Sequence, residues 1–366
     1  MKIRRYIWNL YKNIKQKEDS EYKNGNSELY EYEIDRKAYA IYSNDNEIRY
    51  KSTSGGTFTE IAKKIIKEGG VVVGAIYDDS FMVKHKIAQN YDELELLRQS
   101  KYVQSSKGDI YSEVKKELLN GKTVFFVGSP CEVAGLKCFL VKEYPNLYTA
   151  DFICRGANSP YVYKRFLDSL EKKYKSKVKR VWFKNKKYSW LRFSTKVDFE
   201  NGKVYHKDRF HDPYIRGYIE TSLYTRSSCN NCRFKRNNRF SDLSFADFWG
   251  VNRYFPNIDI KRGVSLVITN NTKGEELIKQ LYNECTIYPA DYLNVANNNS
   301  SYNTSAVKDK NSELFYKRLE IMDFDHAIRP LLSNTIKGDF ERFIYALKIQ
   351  VRKFLKRIIV AIGYRE

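Results

Sequence analysis

Cysteines are the residues of this chain with the most specific chemistry, and they stand at positions 131, 138, 154, 229, 232 and 285. Cys229 and Cys232 enclose two asparagines, a spacing that places two thiolates on one tight turn where both can bind a metal centre. A zinc knuckle would need a second such pair or two histidines at matching spacing, and the four histidines show no such spacing. A thioredoxin-type redox pair would open a helix after an N-terminal strand, whereas this pair lies in a basic, polar segment.

Two single cysteines each follow a predicted buried strand. Cys131 comes just after the run TVFFVG, at the start of the next predicted helix, and Cys154 directly follows the run LYTADFI. Loops beyond the carboxyl ends of strands meet at one edge of an α/β sheet and form its usual ligand site. Taken alone, each of these residues is better explained as a buried, inert cysteine, which is also our prediction for Cys138 and Cys285. Together with Cys229 and Cys232, however, they could form a four-thiolate cage, because iron–sulfur clusters accept irregular spacing.

Three other segments carry groups that suit a cofactor. Ser54, Gly55 and Gly56 precede a predicted helix, whose first N–H groups can bind a phosphate, although the same residues also serve simply as a cap. The segment Lys101–Ser105 is uninformative by itself. The segment Asp242–Gly250 alternates like a strand and ends in Phe-Trp-Gly, and its simplest interpretation is a buried strand with a hydrogen-bonded aspartate.

The elements that must position these residues follow an alternating pattern of helices and strands from Ser52 to about Asn270. We therefore predict an α/β fold with a mixed sheet flanked by helices and with peripheral basic helices at both termini. The predicted organisation is a peripheral N-terminal segment, a core divided near residue 130, a linker and helical region, and a basic amphipathic helix, over residues 1–50, 51–290, 291–340 and 341–366. Within the third region we expect the Asn-rich stretch Asn294–Asn311 to be a loop.

The net charge of +21 favours anionic partners such as nucleotide-type cofactors, anionic lipids, acidic proteins or nucleic acid. Nucleic acid is not favoured, because the basic residues are dispersed and no standard nucleic-acid-binding motif occurs. We expect a cytoplasmic protein, since there is no secretory signal and no apolar run long enough to span a bilayer. The helix predicted over Arg342–Glu366 either contacts the inner face of the membrane or packs on the domain, and the pattern leaves both alternatives open.

Five segments, taken in order, resemble the beta-subunit family of the coenzyme F420 hydrogenases and dehydrogenases: STSGGTFTEIA, SKYVQSS, VFFVGSPCEVAGL, DFICRGANSP and SSCNNCRFKRNNRFSDLSFADFWG. The resemblance covers roughly residues 52–251 and implies bound FAD and a [4Fe–4S] cluster. The family's recurring cysteines match Cys131, Cys154, Cys229 and Cys232. The residues implied for the flavin pocket are Ser54, Gly55, Gly56, Lys101, Tyr102, Gln104, Ser105, Asp247, Trp249 and Gly250.

This chain departs from the family pattern in ways that leave its partner and substrate open. No cysteine precedes Cys131 in this sequence, so we expect the protein to lack the ferredoxin-like module of many relatives. Arg155 stands where relatives often carry histidine. Glu132 replaces a common glutamine, and Ala246 replaces the usual glycine before Asp247.

The resemblance implies an FAD- and [4Fe–4S]-dependent oxidoreductase that works in the reductive direction. An external carrier such as ferredoxin would supply electrons through the cluster and FAD to an organic substrate. The family's association with surface-polysaccharide genes implies an anionic, nucleotide- or lipid-linked sugar. The alternative is a non-enzymatic basic binding or scaffold protein whose cysteine site is degenerate or holds zinc.

Overall fold

The computed structural model describes residues 36–236 and 239–332. Its largest element is an eight-stranded mixed sheet with the strand order β11-β1-β10-β9-β5-β4-β2-β3, and a smaller antiparallel sheet has the order β6-β7-β8. The strands are β1 (Lys37–Ser43), β2 (Val71–Tyr77), β3 (Val83–Ala88), β4 (Val124–Gly128), β5 (Leu147–Phe152), β6 (Val178–Asn185), β7 (Ser194–Phe199), β8 (Val204–Asp208), β9 (Leu243–Asp247), β10 (Ser265–Thr269) and β11 (Cys285–Ala290).

Helices surround the large sheet, and several of them begin at an Asp, Asn or Ser side chain that accepts a hydrogen bond from the first turn. The described α-helices are α1 (Asn46–Lys51), α2 (Thr57–Lys67), α3 (Tyr91–Leu97), α4 (Ile110–Leu119), α5 (Pro130–Leu140), α6 (Pro160–Tyr174), α7 (Pro213–Ile219), α8 (Thr272–Lys279), α9 (Tyr292–Asn297), α10 (Ser300–Asn303), α11 (Ser312–Ile321) and α12 (Phe324–Ile328). A 3-10 helix over Ser227–Asn231 carries the first cysteine of the Cys-Asn-Asn-Cys sequence.

Four neighbouring strands of the large sheet, β2, β4, β5 and β9, run parallel to one another. The middle of β4 is fully buried at Val124, Phe125 and Phe126, as expected for a parallel strand covered on both faces. The carboxyl ends of these strands therefore lie along one edge of the sheet. The segments after β4 and β5 carry Cys131 and Cys154, and β9 ends at Asp247, just before Trp249 and Gly250.

The predicted mixed α/β sheet is confirmed, and so is the helix predicted after Gly56, which spans Thr57–Lys67. The prediction that residues 1–50 form a peripheral segment does not hold for residues 37–43, because they form β1, which lies inside the large sheet between β10 and β11. The expected loop over 294–311 also contains α10 and part of α9.

The basic helices predicted near the two termini fall in residues 1–35 and 333–366, outside the described part of the chain. Among the residues that the structure describes, no helix is both long and apolar enough to cross a membrane.

Candidate functional site

Cys131 lies in the first turn of α5, immediately beyond the carboxyl end of β4. Its thiol is 3.2 Å from the hydroxyl of Ser129, the residue that precedes the helix. The Glu132 carboxylate accepts a hydrogen bond of 2.7 Å from the Ser129 N–H and pairs with the Lys107 ammonium. Burial opposes ionisation of Glu132, but the charges of His85 and Lys107 prevail and hold its pKa below the usual value. This network fixes the start of α5 and thereby the position of Cys131.

Cys154 lies in the segment that follows β5, and a lysine from a distant part of the chain holds its backbone. The Lys235 ammonium donates hydrogen bonds of 2.7 Å to the carbonyl oxygens of Cys154 and Ser301. Burial raises the pKa of the Cys154 thiol to about 12, and the Lys235 charge partly offsets this effect. The charges of Cys154, Cys232 and Cys229 act to raise the pKa of Lys235, so one ammonium interacts electrostatically with three of the predicted ligands.

The Cys-Asn-Asn-Cys sequence approaches Cys154 because its segment pairs with the residues after Cys154. The Arg226 N–H donates to the Ala157 carbonyl at 2.8 Å, and the Ala157 N–H points at the Cys229 sulfur at 3.4 Å. Gly156, the residue before Ala157, faces Thr225, the residue before Arg226, and a Cβ atom on Gly156 would come within 2.5 Å of Thr225 Cγ2. Only a glycine allows the two segments to approach this closely.

The contacts place Cys229 against Gly156 and Ala157, two and three residues after Cys154, and the charges of Cys229 and Cys232 act on the Cys131 thiol. We refer to Cys131, Cys154, Cys229 and Cys232 as the cysteine group. All four are free thiols, and Cys131 is exposed while the others are half-buried. Although the Cys131 side chain reaches solvent, the surrounding protein atoms desolvate its sulfur and raise the pKa of the thiol, and the charges of Cys229 and Cys232 raise it further. Cys154 is coupled in the same way to Cys229 and Cys131. Within the described ranges, no three His, Cys, Asp or Glu side chains converge closely enough to hold a single metal ion.

The two remaining cysteines, Cys138 on α5 and Cys285 at the start of β11, were both predicted to be buried and inert. Cys285 is buried as predicted, although it begins β11 and does not lie in a helix. Cys138 is exposed on α5, so the prediction that it is buried is wrong. On a short helix that packs one face on the sheet, Cys138 falls on the side directed to solvent.

A second group of residues forms around Asp247 at the end of β9. One carboxylate oxygen of Asp247 pairs with the Lys184 ammonium at 2.6 Å, and the other accepts the Trp190 indole N–H at 3.0 Å. Trp190 is fully buried and stacks on Trp249 with 4.9 Å between ring centroids and 10° between planes. Trp249 remains 40% exposed, so this group presents an aromatic surface to solvent.

Tyr102 and the loop around Ser54 adjoin the Asp247 group. Burial raises the pKa of the Tyr102 phenol, and the charge of Asp247 contributes to this increase. The Lys186 ammonium donates to the Ser54 carbonyl at 2.6 Å, and Ser54 Oγ donates to the Val264 carbonyl at 2.7 Å. Both the hydroxyl and the carbonyl of Ser54 are thus bonded within the protein, whereas Trp249 in the Asp247 group is exposed to solvent. A ligand therefore has better access to the Asp247 group than to the Ser54 loop.

Other predicted pocket residues serve contacts within the protein. Gly55 and Gly56 are buried with the first turn of α2, and a Cβ on Gly55 would lie 2.3 Å from the Ile41 carbonyl oxygen. The Lys101 ammonium donates to the carbonyl oxygens of residues 97, 98 and 99 at the end of α3. The Ser105 hydroxyl lies 2.7 Å from His85 Nδ1, on the side of the site that holds Cys131.

Two remaining pocket candidates are placed by their backbones. The Gln104 N–H donates to the Asn158 carbonyl at 2.9 Å, which ties the segment 101–105 to the residues after Cys154. Gly250 has a φ of 78° and begins the turn after Trp249, a conformation that favours glycine.

Tyr218, on α7, joins the cysteine group to the Asp247 group. Its hydroxyl donates to the Gly156 carbonyl at 3.1 Å, and its ring lies 5.5 Å from the Tyr102 ring. The sequence analysis did not identify Tyr218, Lys184 or Trp190 as site residues. The sequence could have pointed to these residues only through the aromatic and basic composition of the segments around the small sheet. Because much of the chain has the same composition, this pattern does not distinguish them.

Two family models match this chain. The model described as "Coenzyme F420 hydrogenase/dehydrogenase, beta subunit N-term" matches residues 38–108, and the corresponding C-terminus model matches residues 121–291. Among solved structures, a chain of the F420-reducing [NiFe] hydrogenase complex from Methanosarcina barkeri, studied by xenon derivatization, is 18% identical with a TM-score of 0.49. That comparison covers 78% of this chain and 92% of the other. No curated protein matches the sequence.

Proposed function

The chain belongs to the coenzyme F420 hydrogenase/dehydrogenase beta-subunit family, a family of oxidoreductases, and from this premise we propose that it is an iron–sulfur flavoprotein. The proposal assigns a [4Fe–4S] cluster to Cys131, Cys154, Cys229 and Cys232. It assigns FAD to the neighbouring surface around Asp247, Trp249 and Tyr102. An external carrier such as ferredoxin supplies the electrons, and an organic substrate receives them.

The observation that carries the proposal is the contact between the Cys229 sulfur and the segment just after Cys154, supported by the charge coupling of Cys229 and Cys232 to the free thiol of Cys131. The donor chemistry of the cysteine group suits the proposed cluster, because iron–sulfur clusters are bound by four thiolates. A single zinc ion needs its ligands around one point, whereas each thiolate of a [4Fe–4S] cluster binds a different iron.

Residues around the thiols supply the charge and the hydrogen bonds that such a centre requires. The Lys235 ammonium lies near three cysteines and offsets the negative charge of thiolates. The Ala157 N–H is directed at the Cys229 sulfur, and hydrogen bonds to sulfur are one means by which a protein sets a reduction potential. When bound, the two cofactors would convert single-electron delivery into two-electron reduction of the substrate.

The segment after Cys232 is rich in basic residues that could bind an acidic carrier, but two of them, Lys235 and Arg239, are engaged in contacts within the protein. Arg239 forms an ion pair of 2.6 Å with Asp151 in which both side chains are fully buried, and Lys235 is held by two carbonyl oxygens. Arg233, next to Cys232, is exposed to solvent. In our proposal an acidic carrier approaches by the exposed Cys131 and Arg233, and the net charge of +21 assists its approach.

The proposed substrate is an anionic, nucleotide- or lipid-linked sugar, and the proposed location is the cytoplasm, including the inner face of the membrane. The positive charge of the chain supports an anionic substrate. The direction of reaction that we propose is reduction of this substrate.

Replacing ligands tests the proposal. We expect the double variant Cys131→Ser/Cys154→Ser, purified anaerobically, to lose most of the iron found in the wild type, because two of the four thiolates are gone. The matched control is Cys138→Ser/Cys285→Ser, which removes the two cysteines outside the group and should keep its iron. Equal iron in the ligand variant and the wild type, or zinc in place of iron in the wild type, would refute the proposal.

A further inference from the structure

Arg209, just after β8, is a cation in the candidate site with no counter-ion of its own. Its guanidinium carbon lies 5.1 Å from the Phe193 ring centroid and 5.8 Å from that of Trp249. Within the described part of the chain it forms neither an ion pair nor a side-chain hydrogen bond. A guanidinium presents five N–H donors in a planar fork, so most of its bonding capacity is available here.

The carboxylates near Arg209 are all engaged by other cations. Asp247 pairs with Lys184, and Glu220 receives the Arg216 guanidinium at 3.0 Å. Asp208 pairs with Arg192 and with His211. Each of these three carboxylates therefore has a cation partner other than Arg209, whose guanidinium lies beside the exposed Trp249 ring.

Trp249 provides an exposed aromatic ring beside the Arg209 guanidinium. Its ring is 40% exposed and is supported from behind by the fully buried Trp190. An aromatic ring held rigidly in this way is a stacking surface for another planar ring. The Lys184 ammonium, 4.6 Å from the centroid of Trp249, is already neutralised by Asp247.

We propose that Arg209 and Trp249 form a binding site for a phosphorylated planar ligand, whose ring lies against Trp249 and whose phosphate pairs with the guanidinium. Arginine binds phosphate through two parallel N–H···O bonds, and such charge-assisted bonds are stronger than neutral ones. The inference rests on the proposed function and names Arg209 as the residue that anchors the anion. Two sources share this chemistry: the flavin itself and a nucleotide-linked substrate.

Equilibrium titrations of the full-length chain separate the two sources. With the flavin removed, FAD and riboflavin are titrated into the wild type and into Arg209→Met. If the flavin is the source, the variant binds FAD about ten- to hundredfold more weakly and binds riboflavin, which has no phosphate, as well as the wild type does. If the substrate is the source, both flavins bind unchanged, and the same loss appears when UDP is titrated into the flavin-loaded chain.

Three variants serve as controls for these titrations. Arg209→Lys keeps the charge and should recover part of the affinity. Arg192→Met removes a nearby arginine that is already paired with Asp208, and it should leave every titration unchanged. Trp249→Leu should weaken the ligand that stacks there, with or without its phosphate.

The inference fails if Arg209→Met weakens riboflavin as much as FAD, because Arg209 then has only a structural role. It fails equally if neither FAD nor UDP loses affinity while the wild type binds FAD. A wild type that binds neither FAD nor UDP overturns both the inference and the flavin part of the proposed function, so the two failures can be told apart.

Discussion

At the scale of the residue, a small side chain is as important to the cysteine group as the thiols are. Gly156 lies where the segment after Cys154 crosses the segment before Cys229, with a φ of 145° that side chains rarely adopt. A Cβ at this position would lie 2.5 Å from Thr225 Cγ2 and 3.4 Å from Cys229 Cβ. Any larger residue must push the two segments apart and displace Cys229.

We therefore predict that Gly156→Ala lowers the iron content of the anaerobically purified protein and its free energy of unfolding, the latter by about 1–3 kcal/mol. Iron assay and urea unfolding measure the two effects. Gly202→Ala is the matched control, because Gly202 also has a positive φ of 80° but no atom lies within 4 Å of its would-be Cβ. This control should lose stability and keep its iron.

The double variant Gly156→Ala/Thr225→Ser removes the methyl group that the new Cβ would strike, and part of the iron should return. Full iron content in Gly156→Ala itself would show that the close approach of the two segments is not required.

From the sequence the four cysteines could be proposed as ligands, a prediction that the iron content must test, but their surroundings could not be predicted. Thiols are few and chemically distinctive, so their order along a known pattern is informative. Lys184, Arg209 and Lys235 are three of 65 basic residues, and nothing local distinguishes them from a solvated lysine or arginine. Their roles follow from contacts over long sequence separation, such as Lys184 with Asp247, which lies 63 positions away.

At the scale of the element, α7 determines how the two groups of residues meet. This helix carries Tyr218, which contacts both Gly156 and Tyr102. Its N-cap is Asp212, a fully buried carboxylate that accepts hydrogen bonds from the Ile215 N–H and the Tyr205 hydroxyl. Burial raises the pKa of Asp212 to about 6, and these hydrogen bonds only partly offset the effect.

This raised pKa predicts a pH dependence of stability. Folded Asp212 keeps its proton up to about pH 6, whereas the unfolded chain releases it near its ordinary pKa of about 4, so stability is lost as the pH rises between these values. Asp212→Asn removes this loss. Between pH 4 and pH 7 the free energy of unfolding of the variant, measured in urea, should therefore increase relative to the wild type by about 2 kcal/mol.

Asp323→Asn is the comparison variant for this measurement. Asp323 is also an N-cap, but there hydrogen bonds from His326 outweigh burial and lower the pKa. As the pH rises, the free energy of unfolding of Asp323→Asn should therefore decrease relative to the wild type, opposite to the change expected for Asp212→Asn. Parallel pH curves for the wild type and Asp212→Asn would contradict the account.

Most elements of the core could be predicted because their hydrophobic pattern is local. The helix over 57–67 has apolar residues at helical spacing, and the run at β4 is continuously apolar. β1 was not anticipated, since its sequence KAYAIYS is short and alternates small with aromatic residues. Only pairing with β10 and β11, more than 200 positions away, makes it a strand inside the sheet.

At the scale of the whole molecule, the parallel strands align the two groups of residues along one edge of the sheet. Cys131 follows β4, Cys154 follows β5, and Asp247 ends β9, and these three strands are neighbours. This arrangement places two cysteines of the proposed cluster site and the Asp247 group at the same edge of the sheet. The family match covers the same region and supports a redox role for it.

The most direct test of the central claim is the content of iron, acid-labile sulfide and flavin in protein purified anaerobically. The account predicts a brown protein with about four irons and four sulfides per chain, together with releasable FAD. Colourless protein that takes up neither iron nor flavin, even after anaerobic reconstitution, would contradict it and favour a scaffold or zinc-binding protein.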